Sequence, residues 1–291
     1  MRASADATHR RLGGPGRWLL ALPPTFVAGL QVLFRSVRAG LEPVVLGDGG
    51  LERAVGSMTG GRRYVSLVPT QVHRVLADPG ATGALSRFDA VLVGGAALDT
   101  HLRDDATAAA VPVVTTYGMA ETCGGCVYEG VPLDGVRVSA AADGRLRIGG
   151  ATLFEGYDGD PRLTSEVLQD GWFTTQDLGR VGPGGLVRVE GRADDVVVSG
   201  GVNVPTGVVA ARLRAHPQVR DAVVVGVPDD EWGQVVVAVA DTSLGVDELR
   251  DWVGEMHPRS FAPRRLLRVD AMPLLPNGKV DRLAVEAIAR G

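Results

Sequence analysis

Asp89-Ala-Val-Leu-Val-Gly-Gly-Ala96, followed downstream by Val111-Pro-Val-Val-Thr-Thr-Tyr-Gly-Met-Ala-Glu121, is the pair of stretches that decides how this chain folds. Each opens on a short run that is apolar and β-branched at successive positions, the pattern of a strand covered on both faces. Pro43–Leu46 and Tyr64–Pro69 repeat the pattern upstream. Helix-period segments fit between these runs. Leu30, Leu33, Phe34 and Val37 recur at i, i+3, i+4 and i+7, and Thr70 is placed to cap a helix carrying Val72, Val75 and Leu76. Strands alternating with helices predict an α/β fold with a wound, mostly parallel sheet over residues 1–135.

From Val136 the pattern changes to short antiparallel strands, with Asp143-Gly144 and Gly182-Pro-Gly-Gly185 as hairpin signals, so 136–190 reads as a β-rich subdomain. After Gly191 a smaller α+β unit is expected. It holds a helix near Thr206–Ala215, strands Ala222–Val227 and Val235–Ala240, a helix near Val246–Met256 and a closing helix. The length suits this division into a large domain at 1–190, a link at 191–195 and a small C-terminal domain at 196–291.

Hydrophobic residues make up 45% of the chain, the net charge is −4 and no block of like charge occurs, so neither nucleic acid nor an anionic membrane is implied as a partner. The apolar run Trp18–Leu30 is cut by Pro23-Pro24 and has no clean cleavage site, which predicts a cytoplasmic protein rather than a secreted one. Cys123-Gly-Gly-Cys126 has no second pair and no nearby histidine, and is read as reduced thiols in a glycine-rich turn. The histidines, His9, His73, His101, His216 and His257, fit no motif. Of thirty basic residues twenty-nine are arginine; the exception is Lys279, in Pro276-Asn-Gly-Lys279. A compact ammonium on a flexible stem can reach between two oxygens and withdraw, which makes Lys279 the first catalytic candidate. The plainer reading is an idle lysine in an exposed turn.

Four strings, in this order, resemble the adenylate-forming acyl-CoA synthetase superfamily. Thr115-Thr-Tyr-Gly-Met-Ala-Glu121 is similar to its Tyr-Gly-x-Thr-Glu motif, Trp172-Phe-Thr-Thr-Gln-Asp177 to its Thr-Gly-Asp motif, Gly191-Arg-Ala-Asp-Asp195 with Ser199-Gly-Gly201 to its hinge, and Pro276–Lys279 to its terminal lysine loop. Leu22-Pro-Pro-Thr-Phe-Val-Ala-Gly-Leu-Gln-Val32 and Glu121-Thr-Cys-Gly-Gly-Cys-Val-Tyr128 look most like the o-succinylbenzoate–CoA ligases of menaquinone synthesis. The resemblance implies an ATP-dependent acid–CoA ligase working through an acyl-adenylate, with ATP, Mg2+ and coenzyme A as cofactors and co-substrates, a small carboxylic acid as substrate, and a homodimer left open. Lys279 would bridge the acid and the phosphate, and Glu121 would hold the magnesium. Gly94, Gly95, Ala96, Tyr117 and Gly118 would surround the adenine, and Asp177 and Arg192 would bind the ribose. Asp194 would be the hinge about which a mobile small domain rotates, and Ser199, Gly200 and Gly201 would line the coenzyme A tunnel. Gln31, Arg35 and Thr116 are placed as acyl-pocket residues.

The family's Ser-Gly-Thr-Thr-Gly-x-Pro-Lys phosphate loop is expected ahead of Met1, and the chain reads as truncated or as an incomplete gene model. Gly56-Ser-Met-Thr-Gly-Gly-Arg-Arg63 imitates that loop but falls between a helix and a strand, and is read as a connection. Phe26 stands where a histidine is common, and Ala120 where a hydroxyl would bond the α-phosphate. These departures keep a second class open, an adenylation-deficient homologue that binds nucleotide or acyl groups. A ligase for another aromatic or fatty acid is a further alternative. A carrier-protein-dependent adenylation domain would be followed by a carrier segment.

Overall fold

A computed structural model describes residues 1–275 and 280–291, and its elements build two compact units, Met1–Thr175 with Arg180–Arg188, and Gln176–Gly179 with Val189–Gly291. The first unit begins with α1 (Arg2–Arg11), β1 (Arg17–Leu20), α2 (Val27–Ala39), β2 (Val44–Val45), α3 (Gly50–Ser57) and β3 (Arg63–Leu67). It continues with α4 (Pro69–Leu76), α5 (Pro79–Leu85), β4 (Ala90–Val93), α6 (Thr100–Ala108) and β5 (Val113–Met119). Next come β6 (Gly124–Tyr128), β7 (Val131–Pro132), β8 (Val136–Ala140) and β9 (Arg145–Gly150), then α7 (Pro161–Val167), β10 (Leu168–Gln169), β11 (Trp172–Val181) and β12 (Val187–Arg192), of which Gln176–Gly179 and Val189–Arg192 belong to the second unit.

The main sheet has the order β2-β1-β3-β4-β5-β6-β7. It is parallel from β2 to β5 and antiparallel from β5 to β7. All four residues of β4 are buried, as a strand between two helical layers requires. One side packs Leu19, Val65, Val91 and Val93 against α3, α4 and α5; the other packs Trp18, Tyr64 and Tyr128 with Leu146, Ile148 and Val187. The second sheet runs β10-β11-β9-β8, with β12 paired to β11. Its turns at Asp143-Gly144 and Gly182–Gly185 lie where the hairpin signals put them.

In the second unit, β13 (Val196–Ser199), β14 (Val202–Pro205), α8 (Thr206–Arg214), β15 (Val219–Asp229), β16 (Gly233–Thr242), α9 (Val246–Gly254), β17 (Arg265–Arg268) and α10 (Arg282–Arg290) follow one another. Their sheet has the order β14-β13-β16-β15, with β17 parallel to β16. The long β15–β16 hairpin carries one core on each face: Val224, Val236 and Ala238 with α8 and α9, and Val225, Val237 and Val239 with α10.

Several sequence expectations need correction. Arg17–Leu20 is a buried strand that the proline-cut apolar run concealed, and the expected strand Pro43–Leu46 shrinks to two residues. Thr70 is not the cap of α4: the helix starts at Pro69, and Gln71 Oε1 accepts the Val68 N–H at 3.1 Å. Cys126 lies on β6 rather than in a turn, and both thiols are free. Burial pushes the Cys126 thiol up to about 11. The helix predicted from Leu30, Leu33, Phe34 and Val37 exists, but its buried positions are Gly29, Gln31, Val32, Arg35 and Ser36. Among the described residues, no helix is long and apolar enough to cross a membrane.

Candidate functional site

At the carboxyl end of β4 the chain turns through Gly94-Gly95-Ala96 directly beside β5. A Cβ on Gly94 would lie 2.4 Å from Thr116 Oγ1 and 3.0 Å from Thr116 O, so only hydrogen fits there. Thr116 Oγ1 in turn donates to Val93 O at 3.3 Å. Gly95 takes φ +85°, open to glycine without strain. The two stretches that opened the sequence reading therefore meet at adjacent strand ends. Further along β5, Tyr117 is half-buried against the core that holds Trp18. The β5–β6 register shifts between Tyr117 and Gly118, and a Cβ on Gly118 would meet Gly124 O at 2.2 Å.

Glu121 sits in the single 3-10 turn Ala120–Thr122 that closes β5. Tyr157 Oη donates to its Oε1 at 2.8 Å, and Phe154 N–H donates to its carbonyl at 2.8 Å. The rings of Phe154 and Tyr157 meet edge-on at 4.9 Å. Burial, with the hydrogen bond and charge of Glu121, pushes the Tyr157 hydroxyl up to about 12, so it stays a donor. Among the described residues, no three His, Cys, Asp or Glu gather around a metal position. A cation at Glu121 would complete its shell with phosphate and water oxygens, a donor set Mg2+ accepts. Sequence reading missed Tyr157 and Phe154; they reach Glu121 through tertiary packing, which leaves no local pattern.

Gln31 and Arg35 lie one turn apart on the buried face of α2, at 1% and 3% exposure. Gln31 Nε2 donates to Cys123 O at 2.5 Å. The Arg35 guanidinium lies 4.8 Å from the centre of the Trp18 ring and donates through Nη2 to Tyr128 Oη at 3.3 Å. Gln31 Oε1 and Arg35 Nε are buried without a hydrogen-bond partner. Burial lowers the Arg35 guanidinium from its ordinary range, yet an arginine remains a cation. Beside it, Trp18 Nε1 donates to His9 Nε2 at 3.3 Å, and burial and the Arg35 charge hold His9 below its ordinary value.

In the second unit, Asp177 is 8% exposed. Arg192 Nη1 reaches Asp177 Oδ1 at 3.4 Å, while its Nε and Nη2 grip Asp194 at 2.8 and 2.7 Å. The hydrogen bonds to Asp194 raise the Arg192 guanidinium, and Arg192 in turn holds the Asp194 carboxyl low. Asp195 Oδ2 accepts from Arg282 at 2.6 Å, so both acids of the expected link are ion-paired. Ser199 pairs with Val202 across the two-residue turn Gly200-Gly201, whose φ values are +56° and +77°. A Cβ on Gly200 would strike the Trp232 ring at 2.5 Å, and the Arg264 guanidinium stacks 3.5 Å from that ring's centre. Sequence reading missed Trp232 and Arg264 as well. Lys279 lies outside the described residues.

A sequence model of AMP-binding enzymes matches residues 2–149, and one of the AMP-binding enzyme C-terminal domain matches residues 209–279. A probable 2-succinylbenzoate–CoA ligase of Mycobacterium tuberculosis is 47% identical, over 98% of this chain and 78% of the relative. The solved o-succinylbenzoate CoA synthetase of Bacillus subtilis, in complex with its acyl-adenylate intermediate, superposes with TM-score 0.81 at 26% identity over 97% of this chain and 63% of that one. The same enzyme in complex with ATP and a magnesium ion gives TM-score 0.80 at 26% identity, over 97% and 64%. The chain thus spans less than two thirds of the solved enzyme it matches.

Proposed function

Since the chain belongs to the AMP-binding enzyme family, we propose that it is an acid–thiol ligase that makes o-succinylbenzoyl-CoA through an acyl-adenylate. The observation that carries this reading is the fit of Gly94 against Thr116. It brings Gly94–Ala96 and Thr115–Glu121 to neighbouring carboxyl ends of a parallel sheet, the place where open α/β sheets bind ligands. A flat base can approach a backbone without side chains at Gly94 and Gly95. Tyr117 and Gly118 would extend that wall, and in the second unit Asp177, with Arg192 beside it, would accept from the ribose hydroxyls.

In this scheme the acid's carboxylate oxygen attacks the α-phosphorus of ATP and pyrophosphate leaves. The sulfur of coenzyme A then attacks the acyl carbon, AMP leaves and the thiol proton is released. Glu121, oriented by Tyr157, would hold Mg2+, which when bound neutralises phosphate charge. Lys279 would bridge the acid and the phosphate during adenylation. Asp194 would serve as hinge between residues 1–190 and 196–291, and Ser199-Gly200-Gly201 would admit the pantetheine arm. Arg35 and Gln31, whose buried Nε and Oε1 lack partners, would meet the second carboxylate of the acid, with Thr116 on the pocket wall. The reading places the chain in the cytoplasm and is compatible with a homodimer.

The test is pyrophosphate release with ATP, Mg2+ and a panel of carboxylic acids. Release with 2-succinylbenzoate ahead of benzoate and fatty acids supports the assignment, and release with another acid in preference reassigns the substrate. A second reading, nucleotide or acyl binding without adenylation, draws on the departures of Phe26 and Ala120 from the family pattern. It predicts retained AMP binding with no release from any acid.

A further inference from the structure

The β6–β7 hairpin turns on two residues, Glu129 and Gly130, between the paired Tyr128 and Val131. Both take positive φ, +49° and +75°. A two-residue turn of this kind selects Asn, Asp or Gly at its first position, because the left-handed region is costly for other side chains. Glutamate there goes against the turn chemistry, and its contacts show what the extra length reaches. Glu129 Oε1 accepts the backbone N–H of Thr115 and, at 2.9 Å, the Thr115 hydroxyl, while the Glu129 N–H donates to Thr115 O at 2.9 Å. Glu129 Oε2 accepts from Arg103 Nη2, on α6, at 2.5 Å.

These contacts close a ring. Thr115 lies beside Val93 across β4 and β5, and the residues that follow them, Thr116 and Gly94, pack on each other. From Gly94 the chain runs to Asp99, whose Oδ1 caps α6 by accepting the His101 N–H at 2.8 Å, and Arg103 then ties the helix back to Glu129. From this ring we infer that Glu129 is a positioning residue for nucleotide binding: its carboxylate ties α6 to β5 and so sets the spacing between the turn Gly94–Ala96 and the wall at Tyr117 and Gly118. The inference deepens the nucleotide-site assignment above and rests on it. Stability does not account for the ion pair, since the Arg103 and Glu129 side chains are 49% and 39% exposed, where such a pair contributes little. A carboxylate that joins groups on two elements instead restricts their relative movement, which holds a binding wall to the shape of a flat ligand.

Glu129→Asn tests this, because asparagine suits the turn and lacks the carboxylate, so the hairpin is kept while the tie is cut. AMP binding, measured by isothermal titration calorimetry, is expected to weaken about tenfold, with the KM for ATP rising alongside, the KM for coenzyme A unchanged and the melting temperature unchanged or higher. Arg103→Met cuts only the α6 arm and should weaken AMP binding by part of that factor. The double variant should bind AMP no more weakly than Glu129→Asn alone, because both substitutions act through one carboxylate. Unchanged AMP affinity in Glu129→Asn overturns the inference, as does a loss matched in the KM for coenzyme A or accompanied by a lower melting temperature, which marks a general packing defect. An unsubstituted chain that binds no AMP overturns the nucleotide wall and this inference with it. Failure of the ligase reading shows differently, as AMP binding without pyrophosphate release.

Discussion

Replacing Arg35 by methionine separates a residue kept for a ligand from one kept for the fold. In the structure the guanidinium is 3% exposed, no carboxylate pairs with it among the described residues, and its Nε is unsatisfied. The substitution loses a long hydrogen bond to Tyr128 Oη, worth about 1 kcal/mol, and a cation–π contact on Trp18 of about 1 kcal/mol. Tyr128 keeps Thr8 Oγ1 as a partner at 3.0 Å, so no new orphan is made there. Against these losses stand the unpaired N–H, about 1–3 kcal/mol, and the desolvated charge, several kcal/mol. The net expectation is stabilisation by about 1–3 kcal/mol, and each kcal/mol raises the melting temperature roughly 2–4 °C in a chain of this size. Turnover of 2-succinylbenzoate, measured as kcat/KM for thioester formation, should fall about thirtyfold or more, the loss expected when a buried charge partner is removed. Turnover of benzoate, which lacks the second carboxylate, should change little. A lower melting temperature with equal loss for both acids would refute the reasoning and make Arg35 a structural residue.

Gly29→Ala in α2 puts a Cβ 2.3 Å from Pro23 O; overpacking of about 1–3 kcal/mol exceeds the helix-propensity gain of about 1 kcal/mol, so the denaturation midpoint falls. Gly56→Ala in α3 meets nothing within 4 Å, and the same propensity gain raises the midpoint. His9 is held neutral below its ordinary value of 6.5, so its contribution to stability is full above that value and is lost as pH falls through and below it. His9→Gln, with an acceptor for the Trp18 N–H, should flatten melting temperature against pH in that range; an unchanged slope would assign the acid sensitivity elsewhere. Tyr157→Phe frees the Glu121 carboxylate to rotate, and is expected to raise the Mg2+ concentration for half-maximal pyrophosphate release while leaving the KM for coenzyme A unchanged. A parallel loss in both would argue for a packing defect.

The parallel layer was legible because Val65, Val91 and Val93 belong to strands apolar at nearly every position, a pattern that survives without knowledge of the neighbours. The hairpins at Asp143-Gly144 and Gly182–Gly185 were equally local, since the positive φ of Gly144, Gly184 and Gly185 selects glycine whatever surrounds it. Helix α2 shows where that logic ends. Periodicity finds the helix but does not say which side is covered, and here the covered side is Gln31, Arg35 and Ser36. The contacts of Tyr157 with Glu121 and of Arg282 with Asp195 join residues 36 and 87 positions apart, and they arise only when sheets and helices pack. Glycines 94 and 118 were visible as letters, but the approach of Thr116 and Gly124 that requires them was not.

Mass spectrometry of the products formed from ATP, Mg2+, 2-succinylbenzoate and coenzyme A tests the central claim most directly. The account predicts o-succinylbenzoyl-CoA with equimolar AMP and pyrophosphate. AMP binding without any thioester, or a thioester formed with ADP and phosphate released instead, would contradict it.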